Sequence, residues 1–191
     1  MAVICSATPT VDLMKLGHHE GDLDSIDFQI LRLLQQNCKL SWGKIGEEVG
    51  LSTPSVIERV KKLEESGIIV SYQAILNGRT LGLDVTGFIG VLVVQPASIQ
   101  SVEQRVAELP DVLESHHVTG EYTLLVKVKT QNTQSLEDLI REIRSIEGVA
   151  RTVTMVVLST HTERVEIHLP EPEAVVRRPR RANGREASDG K

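Results

Sequence analysis

The sequence has few aromatic residues, few cysteines and no long apolar run. Aromatic residues make up only 3% of the 191 residues, so the cores must rest on Leu, Ile and Val. Small cores of this kind are often marginally stable alone, which favours burial against a second subunit. The two cysteines, Cys5 and Cys38, do not form a disulfide framework and are predicted to be reduced thiols in a cytoplasmic protein. Nothing approaches the ~20 apolar residues of a membrane span, so no membrane contact is expected.

The motifs of common enzyme and metal sites are also missing. The sequence has no base-oriented nucleophile, no glycine-rich phosphate loop and no Cys/His spacing that fits zinc. His18 and His19 are adjacent but lack further ligands, which is typical of solvated side chains. Residues 1–21 contain charged residues and no apolar stretch, so they predict a flexible extension and not a signal peptide. We therefore expect no enzyme, no cofactor and no metal.

Charge is distributed unevenly along the chain. The net charge is −5, with −2 in residues 22–76, −4 in residues 77–170 and +2 in residues 171–191. The acidity lies mostly in the second half, so a local positive stripe and a basic tail can still meet phosphate. The affinity of one copy for nucleic acid should be modest and should gain from dimerisation.

The residues from Trp42 to Gly67 predict two helices joined by a tight turn. Ser41 is placed to cap a short helix, and Gly50 ends it because glycine adopts the left-handed backbone without a Cβ penalty. Ser52 then caps a second helix that ends at Gly67. The apolar face of this second helix repeats at i, i+4 and i+7 and consists of Val56, Val60 and Leu63. A polar, partly cationic stripe with the same spacing lies beside it and consists of Ser55, Arg59 and Lys62. With a first helix capped by Asp24, this pattern indicates a helix-turn-helix or an ordinary helical hairpin with a solvated face.

Residues 23–72 have the sequence LDSIDFQILRLLQQNCKLSWGKIGEEVGLSTPSVIERVKKLEESGIIVSY. This sequence resembles the N-terminal domain of the Lrp/AsnC (feast/famine) family of transcriptional regulators. The resemblance resumes at VTGEYTLLVKV and continues to about residue 158. It implies a prokaryotic, nucleoid-associated DNA-binding protein in which the second helix enters a major groove. It also implies a second domain that binds a small-molecule effector such as an amino acid and forms homodimers or octamers.

From Val85 the pattern changes to strand, helix, strand, strand, helix, strand, which is the order of the ferredoxin-like βαββαβ unit. The predicted fold class is therefore α+β, with a three-helix winged helix-turn-helix domain and a ferredoxin-like domain. The predicted boundaries are an extension at 1–21, the DNA-binding domain at 22–68, a connecting strand or hinge at 69–84, the effector and oligomerisation domain at 85–170, and a disordered basic tail at 171–191. A further edge strand is predicted within 162–169.

Six residues are predicted to contact double-stranded DNA. Those at the N-terminal end of the recognition helix reach base edges in this motif, Arg59 reads guanine or clamps phosphate, and the two lysines bind phosphate. Glu58 is expected to pair with a neighbouring lysine. The six residues are Ser52, Thr53, Ser55, Arg59, Lys61 and Lys62.

The effector site is predicted at the turn around Gly120, which permits a ligand to approach the backbone. Family members usually continue this motif with an aspartate and an aromatic residue, where this chain has Thr123 and Leu124. Glu121 is the expected substitute for the missing charge, and a less polar amino acid or another metabolite is the expected ligand. The alternative is a tight hairpin with an empty site. The predicted residues are Thr119, Gly120, Glu121, Tyr122, Thr123, Leu124, Thr152 and Thr154.

Two other functions fit the resemblance less well. Haem-precursor decarboxylases resemble this family and use His and Arg near the sheet, for which His116, His117 and Arg151 are the candidates. Neighbours in a strand point to opposite faces, which argues against that enzyme. A DNA-compacting protein would differ from a transcriptional regulator only in the ratio of its affinity for a specific site to its affinity for unrelated DNA. The arginine-rich tail is interpreted as a solvated segment or as a loose nucleic-acid contact.

Overall fold

A computed structural model of the chain describes residues 23–170. The predictions for Cys5, for His18 and His19 and for the basic tail lie outside these residues. The described residues divide into two compact units, and we call residues 23–73 with 164–170 the helical unit and residues 74–163 the sheet unit. Residues 164–170 thus belong with the first unit, which differs from their predicted place in the second domain. Within residues 23–170, no helix has the length and apolar character needed to cross a membrane.

The helical unit contains three helices whose starts are set by side-chain caps. They are α1 (Ser25–Gln36), α2 (Trp42–Val49) and α3 (Thr53–Glu65). The Asp24 carboxylate accepts from the backbone N–H groups of Ile26 and Asp27 at 2.9 Å each. Gly50 ends α2 with φ of 72°, in the left-handed region that glycine occupies without strain. These caps and the glycine were predicted from the sequence, and the structure confirms them.

The core of the helical unit is small and aliphatic. The apolar faces of the three helices meet at its centre, and no aromatic side chain belongs to this cluster of buried residues, which are Ile30, Leu31, Leu34, Ile45, Val56, Val60 and Leu63. Trp42 and Leu169 pack against its edge. The predicted apolar face of α3 therefore does lie inside the fold.

The sheet unit alternates strands and helices in the predicted order. Its elements are β1 (Val85–Val93), α4 (Ile99–Ala107), β2 (Val112–His117), β3 (Leu124–Thr130), α5 (Thr133–Ser145) and β4 (Val149–Val156). The strand order is β2-β3-β1-β4, and every neighbouring pair is antiparallel. The predicted ferredoxin-like arrangement is therefore confirmed.

Only one face of the sheet is covered by helices within this unit. Alternate residues of β1 and β3 point to the helices and are buried, while the residues between them face the other side. The core joins these strand positions to one face each of α4 and α5: Ile89, Val91, Val93, Val102, Val106, Leu109, Leu124, Val126, Val128, Leu136, Leu139 and Ile143.

Two local predictions differ from the structure. Residues 69–84 contain no strand, so the predicted connecting strand is absent, and a 3₁₀ turn lies at Arg79–Leu81. Residues 162–169 are extended but form no edge strand, because their backbone groups are not paired with a strand of the sheet. Before α4, a 3₁₀ turn at Pro96–Ser98 runs directly into the helix, and Ser98 makes no capping hydrogen bond.

Candidate nucleic-acid interface and effector turn

The angle between α2 and α3 is fixed by a tight turn over Gly46. The Leu51 N–H donates to the Gly46 carbonyl at 2.9 Å, and a Cβ on Gly46 would stand only 2.5 Å from the Leu51 carbonyl oxygen. Any larger residue at Gly46 would force the turn open. The turn therefore holds α3 in one orientation, which a helix that enters a groove requires.

Helix α3 has one buried side and one exposed side. Val56, Val60 and Leu63 are at most 3% exposed and face the core. On the outer side, Thr53, Pro54 and Lys61 are exposed, and Ile57 keeps 46% of its surface accessible. The outer side of α3 is therefore available to a partner from Thr53 to Lys61.

Two of the predicted DNA-binding residues also build the helix start. The Ser52 hydroxyl accepts from the Ser55 N–H at 3.4 Å, and the two hydroxyl oxygens are 2.9 Å apart. Ser52 is exposed and Ser55 is half-buried. The predicted cap is confirmed, and it places both hydroxyls at the N-terminal end of α3 beside the exposed Thr53.

Arg59 does not extend freely from α3. Its guanidinium donates to the carboxylates of Asp24, the N-cap of α1, and of Asp27 in α1, both at 2.8 Å. The hydrogen bond to Asp27 is the main reason why the pKa of Arg59 is raised. Arg59 thus links α3 to α1, a role that the sequence interpretation as a guanine reader did not include.

The two lysines of α3 are exposed, and each pairs with a glutamate one helical turn away. Lys62 Nζ is 2.8 Å from Glu58, with both side chains about 70% exposed, and Lys61 Nζ is 3.5 Å from Glu65. The predicted pairing of Glu58 with a neighbouring lysine is therefore confirmed. Exposed pairs of this kind contribute little to stability, so both ammonium groups remain available to phosphate.

The predicted effector turn is a short loop between β2 and β3. It is closed by the Val118 N–H, which donates to the Thr123 carbonyl at 3.1 Å. Thr119 and Gly120 are exposed, Gly120 has φ of 120°, and a Cβ there would meet nothing within 4 Å. The turn therefore leaves open space beside its backbone, which is the property on which the prediction relied.

The other side chains of this turn are engaged within the sheet unit. Glu121 pairs with Arg151 at 2.6 Å, and the Tyr122 ring lies so close over Gly90 that a Cβ there would stand 2.7 Å from it. The Thr123 hydroxyl accepts from the Val93 N–H at 3.1 Å, where the pairing of β1 shifts register. Thr123 thus accepts a hydrogen bond from the backbone at the end of β1, and it offers no charge to a ligand.

Three further predicted effector residues point toward the helices. Leu124 is fully buried in the sheet core, which differs from a position lining a pocket and follows from the alternation of β3. Thr152 is 6% exposed, and its hydroxyl accepts from the Arg144 guanidinium at 2.8 Å. Thr154 is half-buried and lies opposite Ile89 in the register of β1 and β4. Arg144 is a residue that sequence reasoning missed, because no local pattern links α5 to Thr152.

The residues of the decarboxylase alternative do not converge. His116 lies 3.3 Å from Glu114 and His117 lies 3.2 Å from Glu103 of α4, so the two rings face opposite sides of the sheet. Arg151 is occupied by Glu121. Among residues 23–170 there is also no group of three His, Cys, Asp or Glu side chains that could hold a metal ion.

The geometry defines a class of protein: a helix-turn-helix unit with an exposed second helix, joined in one chain to a ferredoxin-like unit. Family models match both parts, as an AsnC-type helix-turn-helix domain over residues 23–64 and an Lrp/AsnC ligand binding domain over residues 86–167. The chain belongs to the Lrp/AsnC family.

Individual relatives agree with this assignment. The chain is 35% identical over 147 residues to the HTH-type transcriptional regulator FL11 of Pyrococcus furiosus, which covers 77% of this chain and 97% of that protein. It is 36% identical over 140 residues to the leucine-responsive regulatory protein of Rhizobium meliloti, over 72% of this chain and 90% of that one. By name, the first relative is a transcriptional regulator and the second is a regulatory protein.

Solved structures agree as well. A transcriptional regulator from Neisseria meningitidis in complex with L-Met matches with a TM-score of 0.73 and 26% identity, over 76% of this chain and 96% of that chain. The feast or famine regulatory protein of M. tuberculosis complexed with L-methionine matches with a TM-score of 0.73 and 27% identity, over 78% and 99%.

Proposed function

We propose that this protein is a sequence-specific regulator of transcription that binds double-stranded DNA through α3 in the cytoplasm, as a homodimer or larger homo-oligomer, and responds to an amino acid. The observation that carries the proposal is the exposed outer side of α3, held at a fixed angle by the turn over Gly46. The relatives and the family models support the same function.

The side chains of α3 divide into two kinds of contact. Ser52, Thr53 and Ser55 lie at the N-terminal end, where this motif reaches base edges. Ile57 adds an exposed apolar group of the type that contacts a thymine methyl. Lys61 and Lys62 are suited to phosphate, which contributes affinity but no sequence preference. Sequence reasoning missed Ile57, although its exposure could have been suspected because it lies off the 56, 60, 63 face.

The open face of the sheet supports the homo-oligomer. One face lacks helices within the sheet unit, and this unit exposes large apolar side chains at Ile75, Leu76, Leu81, Val94, Leu113, Met155, Val156 and Leu158. Large exposed apolar side chains that lie together are typical of an interface. A dimer also supplies two recognition helices, which compensates for the net negative charge of one helical unit. Octamers of the kind implied by the family resemblance are part of the same proposal.

The turn around Gly120 is the proposed contact for an amino-acid effector. Two related structures hold L-methionine. In this chain the free backbone and open space at Gly120 suit a carboxylate, while the charge that Glu121 offers to the ammonium group is already partly balanced by the Arg151 guanidinium. A ligand with a large apolar part, such as methionine, fits this balance better than a charged one.

Selection from genomic DNA tests the function directly. Fragments retained by the full chain should share a palindromic motif, and their affinity should exceed that for unrelated DNA by about 10³-fold or more. Light scattering should find a dimer or larger species at the same concentration. Uniform affinity for all fragments would favour the DNA-compacting alternative, and a monomer that binds tightly would contradict the oligomer.

A further inference from the structure

An open cleft of about 360 Å³ lies between α4 and α5 in the sheet unit, and we call it the α4–α5 cleft. One wall consists of Ser101, Arg105 and Leu109, which follow one another at intervals of four residues along one side of α4 and its end. The other wall includes Glu142 and Ile146 at the end of α5. The volume lies at the lower end of the range of about 300–1,000 Å³ that is usual for small-molecule sites.

The cleft has an apolar base beneath its polar walls. Leu109 is buried in the core of the sheet unit, and Ile146 is half-buried and packs against the same core. Both residues are therefore held in place by the fold. An apolar base of this kind suits the methylene groups of a ligand whose charged ends lie in the polar walls.

The two ends of the cleft can be told apart. Gly148, which follows α5, has φ of 97°, and a Cβ there would stand 2.7 Å from the Cβ of Ser98. The turn after α5 is therefore held against the start of α4, and Glu147 lies at that end of the cleft. Arg105 lies about 10 Å from Ser98 along the axis of α4, and Glu142 lies about one turn of α5 away from the same end.

The charged side chains of the cleft are one cation and two carboxylates. Glu142 and Glu147 are exposed, and within residues 23–170 their carboxylates form no hydrogen bond or ion pair. Arg105 pairs with Glu108 at 3.6 Å, and both of these side chains are exposed. An exposed pair of this kind is weak, so the guanidinium remains available to a ligand. The cleft therefore offers one positive and two negative groups.

We propose that the α4–α5 cleft binds a basic amino acid such as lysine. This ligand carries one carboxylate and two cationic groups, which complements the charges of the cleft. The α-carboxylate pairs with Arg105, the α-ammonium with Glu142 and the side-chain cation with Glu147. The cleft shares no residue with the turn around Gly120. It is thus a second ligand site, which does not depend on the proposed DNA binding.

Calorimetric titration of the full chain at constant ionic strength tests the ligand class. Lysine is compared with norleucine, which lacks the side-chain ammonium, and with 1,5-diaminopentane, which lacks the carboxylate. We expect a dissociation constant on the order of 1 mM for lysine, because all three ion pairs lie in an open cleft. Each analogue should bind about fivefold more weakly, since it loses one of these pairs.

Substitutions test the position of each group. Glu147→Gln should weaken lysine binding about fivefold and remove the preference for lysine over norleucine. Arg105→Gln should remove the preference for lysine over 1,5-diaminopentane. Glu137→Gln is the matched control, because it also removes one exposed carboxylate from α5 but lies outside the cleft. It should change the affinity for lysine by less than about twofold. Thermal melting without ligand checks that each variant is folded.

Three results would overturn the inference. Lysine that binds no more tightly than both analogues is not the class of ligand that the cleft selects. Equal weakening by Glu147→Gln and Glu137→Gln would show attraction to the overall charge of the helices instead of a site. Lysine binding that is lost in Gly120→Asp would place the ligand at the turn. None of these measurements involves DNA, so the proposed DNA-binding function stands or falls separately.

Discussion

The outer side of α3 and the turn around Gly120 both follow from short sequence motifs, yet their side chains are in opposite states in the folded chain. On α3, Thr53 and Ile57 are exposed to solvent. At the turn, the Tyr122 ring packs over Gly90 and the Thr123 hydroxyl bonds the β1 backbone. A partner can bind the first surface as it stands, whereas a ligand at the second has mainly the backbone of Gly120 to use.

The two units also differ in the size of their cores. The core cluster of the helical unit has seven buried apolar residues and that of the sheet unit has twelve. Because each buried side chain is a larger share of the smaller core, one truncation should matter more in the helical unit.

The largest expected effect comes from truncating one core residue in each unit. Ile30→Ala and Ile89→Ala both remove a fully buried side chain and should each lower the free energy of unfolding by about 2–5 kcal/mol. Trp42, the single tryptophan, lies in the helical unit, so its fluorescence reports that unit while circular dichroism reports the whole chain. We expect Ile30→Ala to shift the fluorescence transition most. Ile57→Ala is the exposed control. Equal shifts of the fluorescence transition in all three variants would contradict the expected difference between the two units.

The second effect sharpens the proposal for the turn. An amino acid at ~100 times its dissociation constant should stabilise the chain by ~2.7 kcal/mol, visible as a melting shift. We expect L-methionine to rank above charged amino acids, and Gly120→Asp to abolish the shift. Gly82→Asp is the matched control, because Gly82 also has a positive φ and open space but lies outside the turn. A shift that survives Gly120→Asp would place the ligand elsewhere.

A third effect separates the two basic roles on α3. Arg59→Ala should lower the free energy of unfolding by about 1 kcal/mol, since it leaves Asp24 and Asp27 without their guanidinium. Lys62→Ala should leave the free energy of unfolding nearly unchanged. It should reduce the slope of log DNA affinity against log salt concentration by about one. Chemical denaturation and binding titrations measure both. Should Arg59→Ala instead change base preference at unchanged stability, the guanine-reading role predicted from sequence would hold.

The smallest effect concerns the open face of the sheet. The hydrogen bond from Lys127, at 3.0 Å, is the main reason why the pKa of Glu114 lies below its usual value. A lowered carboxyl pKa contributes stability above the unfolded value of about 4.5, and this contribution disappears as pH falls through the lower, folded pKa. In Lys127→Met the Glu114 pKa should rise toward 4.5, as NMR titration would measure. Lys129→Met, on the same face of β3, should not move it.

Much of the fold could be predicted because it depends on local patterns. Asp24, Ser41 and Ser52 cap helices by bonding within three residues of themselves, and Gly50 terminates α2 through its own backbone freedom. Strand alternation likewise predicted that His116 and His117 face opposite sides. Each of these features is decided by residues that are neighbours in the chain.

The tertiary structure decided whatever depends on partners that are distant in sequence. Arg59 meets Asp24 across 35 residues, Arg151 meets Glu121 across 30, and Ile167 meets Gln35 across 132. Leu124 entered the core, and Thr123 closed the end of β1, because the register of β1 and β3 placed them there. The periodicity of a sequence predicts which face of a helix or strand a residue lies on. Only the folded chain determines which group lies opposite that face, and therefore whether the side chain is free to bind.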